Sequence, residues 1–127
     1  MGKLILIVED EVDQREGLSD LLTDVGYRVA TAATGKEAMK LIATERPALV
    51  LSDLMLRDMD GRNLLVRMRQ EFAEPPPVIF ITGAHPSVTG DISSEVFLKP
   101  FDINRLLTLV SRYCGEQPAT IFDSAVQ

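Results

Sequence analysis

Leu49-Val50-Leu51-Ser52-Asp53-Leu54-Met55-Leu56 decides the fold of this 127-residue chain. Pro47 stands just ahead of an apolar run, and one carboxylate closes it. Apolar and small residues follow one another without alternation, which reads as a strand buried on both faces. Such strands belong to parallel sheets covered by helices. Asp53 falls where the strand stops, at the carboxyl edge, where open α/β sheets hold their ligands.

Working outward, Leu4-Ile5-Leu6-Ile7-Val8 and Val78-Ile79-Phe80-Ile81-Thr82 are runs of the same kind. These three should be central strands. Tyr27-Arg28-Val29-Ala30-Thr31-Ala32 is weaker and suits an edge, and Val96-Phe97-Leu98 is a short fifth strand. Helical spacing lies between them. Leu18, Leu21, Leu22 and Val25 share one face, with Gly26 as the stop. Thr34-Gly35-Lys36-Glu37 is a capping box ahead of Ala38, Leu41 and Ile42. Leu64, Leu65, Met68 and Phe72 form a third face, broken by Pro75-Pro76-Pro77. Asp102 caps a last helix carrying Ile103, Leu106, Leu107 and Val110. His85 to Ser94 holds Pro86 and Gly90 and shows little helical periodicity. The alternation predicts an α/β, doubly wound, five-stranded parallel sheet with right-handed crossovers. Residues 1–115 are expected to be one domain, and 116–127 a tail or the start of a linker.

Composition narrows the function. Hydrophobic residues make up 46% and charged residues 25%, the balance of an ordinary soluble domain. A net charge of −6 speaks against direct nucleic-acid binding, which needs a basic surface. The run at 4–8 is too short for a membrane span and is followed at once by Glu9-Asp10-Glu11. Cys114 is the one cysteine, so an intrachain disulfide is impossible, which agrees with a reducing, cytoplasmic location.

Parallel strands point their carboxyl ends the same way. Glu9, Asp10, Asp53, Thr82 and Lys99 each follow or close a strand, so they should converge on one rim. Clustered carboxylates repel one another unless a cation lies among them. An all-oxygen site of carboxylates and a backbone carbonyl suits Mg²⁺. A lysine and a threonine hydroxyl on the same rim complete a site for a tetrahedral oxyanion, and an Asp oxygen in line can accept a phosphoryl group. Each piece has a plainer reading by itself. An acidic pair after a strand is a solvated loop, Asp53 a turn residue, Thr82 a strand-end hydroxyl, Lys99-Pro100 a surface dipeptide. His85 reads as a loop bystander, Met59 and Met68 as packing residues, and Cys114 as inert. The ordered set of strand ends is what favours the chemical reading.

With these residues in view, the chain resembles the receiver domain of two-component response regulators from about Lys3 to Cys114. The motifs are Ile7-Val8-Glu9-Asp10, Ser52-Asp53-Leu54-Met55, Asp58-Met59-Asp60-Gly61, Ile81-Thr82-Gly83-Ala84 and Leu98-Lys99-Pro100-Phe101. The resemblance implies a flavodoxin-like receiver fold with strand order 2-1-3-4-5. It implies Asp53 as phosphoacceptor, with Asp10, Asp53 and the Met55 carbonyl holding Mg²⁺ (or Mn²⁺) directly and Glu9 through water. Lys99 would contact the phosphoryl group, ahead of a bond to Pro100 that is cis in the family. Thr82 would move to meet it. Met55 and Ala84 match positions that tune loss of the phosphoryl group.

The chain departs from the family in three places. Val96 stands where a Tyr or Phe is usual, so the customary coupling of the threonine to a turning aromatic lacks its side chain. Phe97, one position later, should face the other way. Lys99 follows Thr82 by 17 positions, so the fourth helix is expected to be short or absent. Arg57 replaces a common Pro.

The expected function is that of a phosphoacceptor signalling domain, not a turnover enzyme. It would take its phosphoryl group from a histidine kinase or histidine phosphotransfer protein and relay the signal by conformational change or onward transfer. It would bind neither nucleic acid directly nor membrane, and a homodimer is left open. The alternative is a degenerate receiver acting as an interaction module without phosphorylation. A flavin carrier of this topology would need a phosphate-cradling loop where Glu9-Asp10-Glu11 stands. An Asp-nucleophile phosphohydrolase would need D-x-D after the first strand.

Overall fold

The computed structural model describes residues 3–83, 95–99 and 102–115. The elements in order are β1 (Leu4–Val8), α1 (Val12–Val25), β2 (Arg28–Ala32), α2 (Gly35–Glu45), β3 (Leu49–Ser52), α3 (Gly61–Glu71), β4 (Val78–Thr82), β5 (Glu95–Leu98) and α4 (Ile103–Cys114). The five strands form one sheet in the order β2-β1-β3-β4-β5, and every pairing is parallel. The three apolar runs are central, and β2 is an edge with two exposed residues. The expected short or absent fourth helix, the Pro100 peptide bond and the 116–127 tail lie outside the described residues.

Alternate side chains of each central strand feed two cores, one on each face of the sheet. Leu6, Val8, Val50 and Phe80 pack with Ala38 and Ile42 of α2 and Leu64, Leu65 and Met68 of α3. Ile5, Ile7, Leu51, Ile79 and Ile81 pack with Leu22 of α1 and Leu106, Leu109, Val110 and Cys114 of α4. Val96 joins the α2 and α3 side, in register with Phe80. The side chain of Phe97 is not among those described.

Local signals set most of the helix ends. Thr34 Oγ1 accepts the Glu37 amide, and Glu37 Oε1 accepts the Ala33 amide. Asp60 caps α3 and Asp102 caps α4 through their carboxylates. Gly26 ends α1 at φ 110°, a conformation that costs glycine nothing. One helical face differs from expectation. Ile103 is 49% exposed, whereas Leu109 and Cys114 are buried. The buried spacing in α4 runs 106, 109, 110 and 114, so Ile103, at the first helical position, lies beyond that buried set.

Candidate functional site

Backbone bonds between neighbouring strands carry the site residues to one rim. The Glu9 amide donates to the Ala32 carbonyl, the Asp53 amide to Val8, and the Lys99 amide to Thr82, at 3.0, 2.9 and 2.8 Å. Glu9, Asp53 and Lys99 thus each extend a strand by one bonded residue, and their side chains leave from the same edge.

Three of the expected residues meet directly. Lys99 Nζ donates to Glu9 Oε1 and Asp53 Oδ2, each at 3.1 Å, and also to Gln14 Oε1. The other carboxylate oxygens are used locally. Asp53 Oδ1 accepts the Met55 amide at 3.0 Å, and Glu9 Oε2 accepts the Glu11 amide at 3.2 Å. Arg15 donates to the Glu9 carbonyl at 2.9 Å. Asp10 Oδ2 faces the Arg57 guanidinium at 3.9 Å. Thr82 closes β4 and is 1% exposed. Met55 pairs with Asp60 as an antiparallel bridge, while its side chain projects into solvent.

Burial pushes the Glu9 carboxyl above its usual range, and the nearby Asp53 charge adds to this; the Glu11 amide and Lys99 pull the other way without cancelling it. Burial alone would lower the Lys99 pKa. Its hydrogen bonds and charge attraction to Asp53 and Glu9 outweigh that, and hold the ammonium above its ordinary value. Among the described residues, Lys99 pairs with Glu9 and Asp53, and a largely exposed Arg57 with Asp10.

A hard dication suits this donor set. The side chains at the rim offer carboxylate oxygens, the hard donors that Mg²⁺ takes. Among the described residues no three acidic, His or Cys side chains converge closely enough to enclose an ion. Mg²⁺ does not require that, since it uses one or two carboxylates and keeps waters.

Sequence reasoning missed two contacts. Gln14 reaches Lys99 across 85 positions. Its signal was its place in the first turn of a helix that starts at the carboxyl edge. Asp58, in the loop after Asp53, accepts the Gly35 amide at 2.9 Å and the Lys36 amide at 3.0 Å, so it covers the start of α2 from another loop. No local pattern announces that pairing. Beneath α1 lies an apolar hollow of about 470 Å³, walled by Ile7, Leu51, Ile81, Leu18 and Leu21 and reaching Asp53 and Lys99.

A sheet of this order with an acidic rim and one lysine bridging two strand-end carboxylates defines a class, the open α/β domains whose ligand site lies at the strand ends. The response regulator receiver domain family matches residues 5–111, and the chain belongs to that family of signalling domains. It is 32% identical over 126 residues to the transcriptional regulatory protein CrdR of Helicobacter pylori, covering 95% of this chain and 59% of that protein. It is 35% identical over 118 residues to sporulation initiation phosphotransferase F of Bacillus subtilis, covering 89% of this chain and 94% of that protein. The crystal structure of the response regulator TrrA from Thermotoga maritima, in complex with Mg²⁺ and BeF, superposes with a TM-score of 0.78 at 28% identity. That match covers 87% of this chain and 98% of TrrA. The chain spans between 36% and 59% of the length of several curated relatives that it matches. Among the described residues no helix is long and apolar enough to cross a membrane.

Proposed function

We propose that this chain is a phosphoacceptor receiver, with residues 1–115 as its functional domain, and that Asp53 takes a phosphoryl group from the phosphohistidine of a histidine kinase or histidine phosphotransfer protein. One observation carries the reading. Lys99 Nζ stands 3.1 Å from both Asp53 Oδ2 and Glu9 Oε1 at the carboxyl edge of the sheet.

The step is a phosphoryl transfer. An Asp53 carboxylate oxygen forms a bond to phosphorus as the P–N bond of the phosphohistidine breaks. The imidazole nitrogen leaves with the electron pair and gains a proton. Lys99 offsets the growing charge on the phosphoryl oxygens, and the Thr82 hydroxyl donates to one of them. Asp10, Asp53 and the Met55 carbonyl would hold Mg²⁺ (or Mn²⁺), with Glu9 acting through water. When bound, that ion supplies positive charge against the phosphoryl oxygens. The domain signals by the resulting change in shape or by passing the group on, with no separate substrate turnover. The match along 94% of a protein named as a phosphotransferase supports the relay form. The proposed setting is cytoplasmic, without direct nucleic-acid contact, and self-association is a property to be measured alongside.

Intact mass after incubation with acetyl phosphate and Mg²⁺ tests the reading. The expected result is one hydroxylamine-labile phosphoryl adduct, absent in Asp53→Asn and absent with EDTA. A chain that takes no group from acetyl phosphate or from any histidine donor, and whose amide spectrum ignores fluoroberyllate with Mg²⁺, would be a binding module instead.

A further inference from the structure

An ammonium has three N–H donors. Each of those on Lys99 has an acceptor, namely Glu9 Oε1, Asp53 Oδ2 and Gln14 Oε1. Two acceptors are carboxylates at strand ends. The third is an uncharged amide in the first turn of α1. We propose that Gln14 is a positioning residue for Lys99, anchoring the ammonium to α1 so that it already faces the phosphoryl oxygens as they arrive at Asp53. This rests on the acceptor reading above.

The argument is geometric. When Asp53 gains a phosphoryl group, the Lys99 bond to Asp53 Oδ2 is the one exchanged for a bond to a phosphoryl oxygen. Glu9 and Gln14 remain as anchors. Glu9 is itself fixed, because the Glu11 amide holds its second oxygen and Arg15 holds its carbonyl. One fixed anchor leaves a long lysine chain free to swing about that bond, whereas two on different elements define its place. Lys99 and Gln14 both border the apolar hollow, and Gly17, one turn after Gln14, would meet nothing within 4 Å even with a Cβ added. There the Gln14 amide supplies the contact to Lys99 that comes from α1.

The test uses the full chain and two readouts. In the wild type, the Nζ signal of Lys99 in a ¹⁵N spectrum, assigned with Lys99→Met, should exchange slowly with solvent. Removing a hydrogen bond to a charged group in Gln14→Leu should raise that exchange rate by about fivefold and slow adduct formation from acetyl phosphate with Mg²⁺ by about the same factor. Thermal unfolding should fall by no more than the few degrees that one lost hydrogen bond costs. Gln14→Glu keeps an acceptor at the same reach, so the slow exchange should survive in it. Gln14→Leu that exchanges and reacts like the wild type overturns the proposal, as does Gln14→Glu that exchanges as fast as Gln14→Leu. A wild-type chain that never takes the phosphoryl group overturns the acceptor reading instead, and the exchange arm then decides the Gln14 anchor alone.

Discussion

On the α2 and α3 side of the sheet, a Cβ placed on Gly61 would meet Phe80 Cε1 at 2.8 Å and the Asp53 carbonyl oxygen at 3.0 Å. On the α1 and α4 side, a Cβ placed on Gly17 would meet nothing within 4 Å, and a hollow of about 470 Å³ lies close by. The two glycines do opposite things. Gly61 lets α3 begin against the backbone of the acceptor strand, where its amide bonds to the Leu54 carbonyl at 2.6 Å. Gly17 leaves room. One side of Asp53 is held by backbone in close contact, and the other is open apolar wall crossed by Gln14 and Lys99. In such a site the acceptor itself is fixed by packing, while the charged group that answers it depends on individual hydrogen bonds.

Three substitutions can break or sharpen this contrast. The largest effect is expected at Gly61→Ala, where the added methyl presses on backbone and on a fully buried ring. A loss of about 1–3 kcal/mol in urea unfolding is expected from such overpacking. An unchanged midpoint would mean that the α3 side yields as readily as the α1 side. Gly17→Ala should go the other way. Alanine in an exposed helix interior, with space for its methyl, should stabilise by about 0.5–1 kcal/mol. A destabilised variant would show that the wall beneath α1 is closed in solution.

The smallest effect concerns Asp58, which ties the loop after the acceptor to the start of α2. Burial works to raise its pKa, but the Gly35 and Lys36 amides, with the Arg67 charge, outweigh it and hold the carboxyl below its ordinary 3.8. A carboxyl depressed on folding stabilises fully above the unfolded value and loses that contribution as pH falls through its folded value. Wild type should therefore be slightly more stable than Asp58→Asn at neutral pH, and the gap should close below pH 3.8. A gap that stays constant from pH 7 to pH 3 would show that charge has no part in the tie.

The sheet was legible because its strands are unusual words. Short, β-branched apolar runs such as 4–8 and 78–81, alternating with helical spacing, read as central strands of a parallel sheet. Once the strands are parallel, Glu9, Asp53 and Lys99 must share a rim, but that Lys99 meets both carboxylates at 3.1 Å was decided by how the strands pack. The pairing of Asp10 with Arg57 of the loop after the acceptor was not legible, because no local pattern announces it. Ile103 was misplaced on the buried face, since periodicity finds a helical stripe without showing where along the helix the covering core ends.

What the amino-acid order determined by itself is therefore everything set by period, by strand ends and by caps close in sequence. That includes the alternation of elements, the Thr34 and Asp102 caps, and the gathering of acids and one lysine on an edge. Tertiary structure alone decided the contacts between distant pieces of chain. Asp58 covers α2 from 22 and 23 positions away, Gln14 meets Lys99 across 85, and the hollow appears only when α1 lies over the sheet. The physical reason is that periodicity and capping are energies of neighbours. A hydrogen bond between two loops, or a space beneath a helix, depends on how whole elements sit against one another, and packing is resolved only when every side chain is in place.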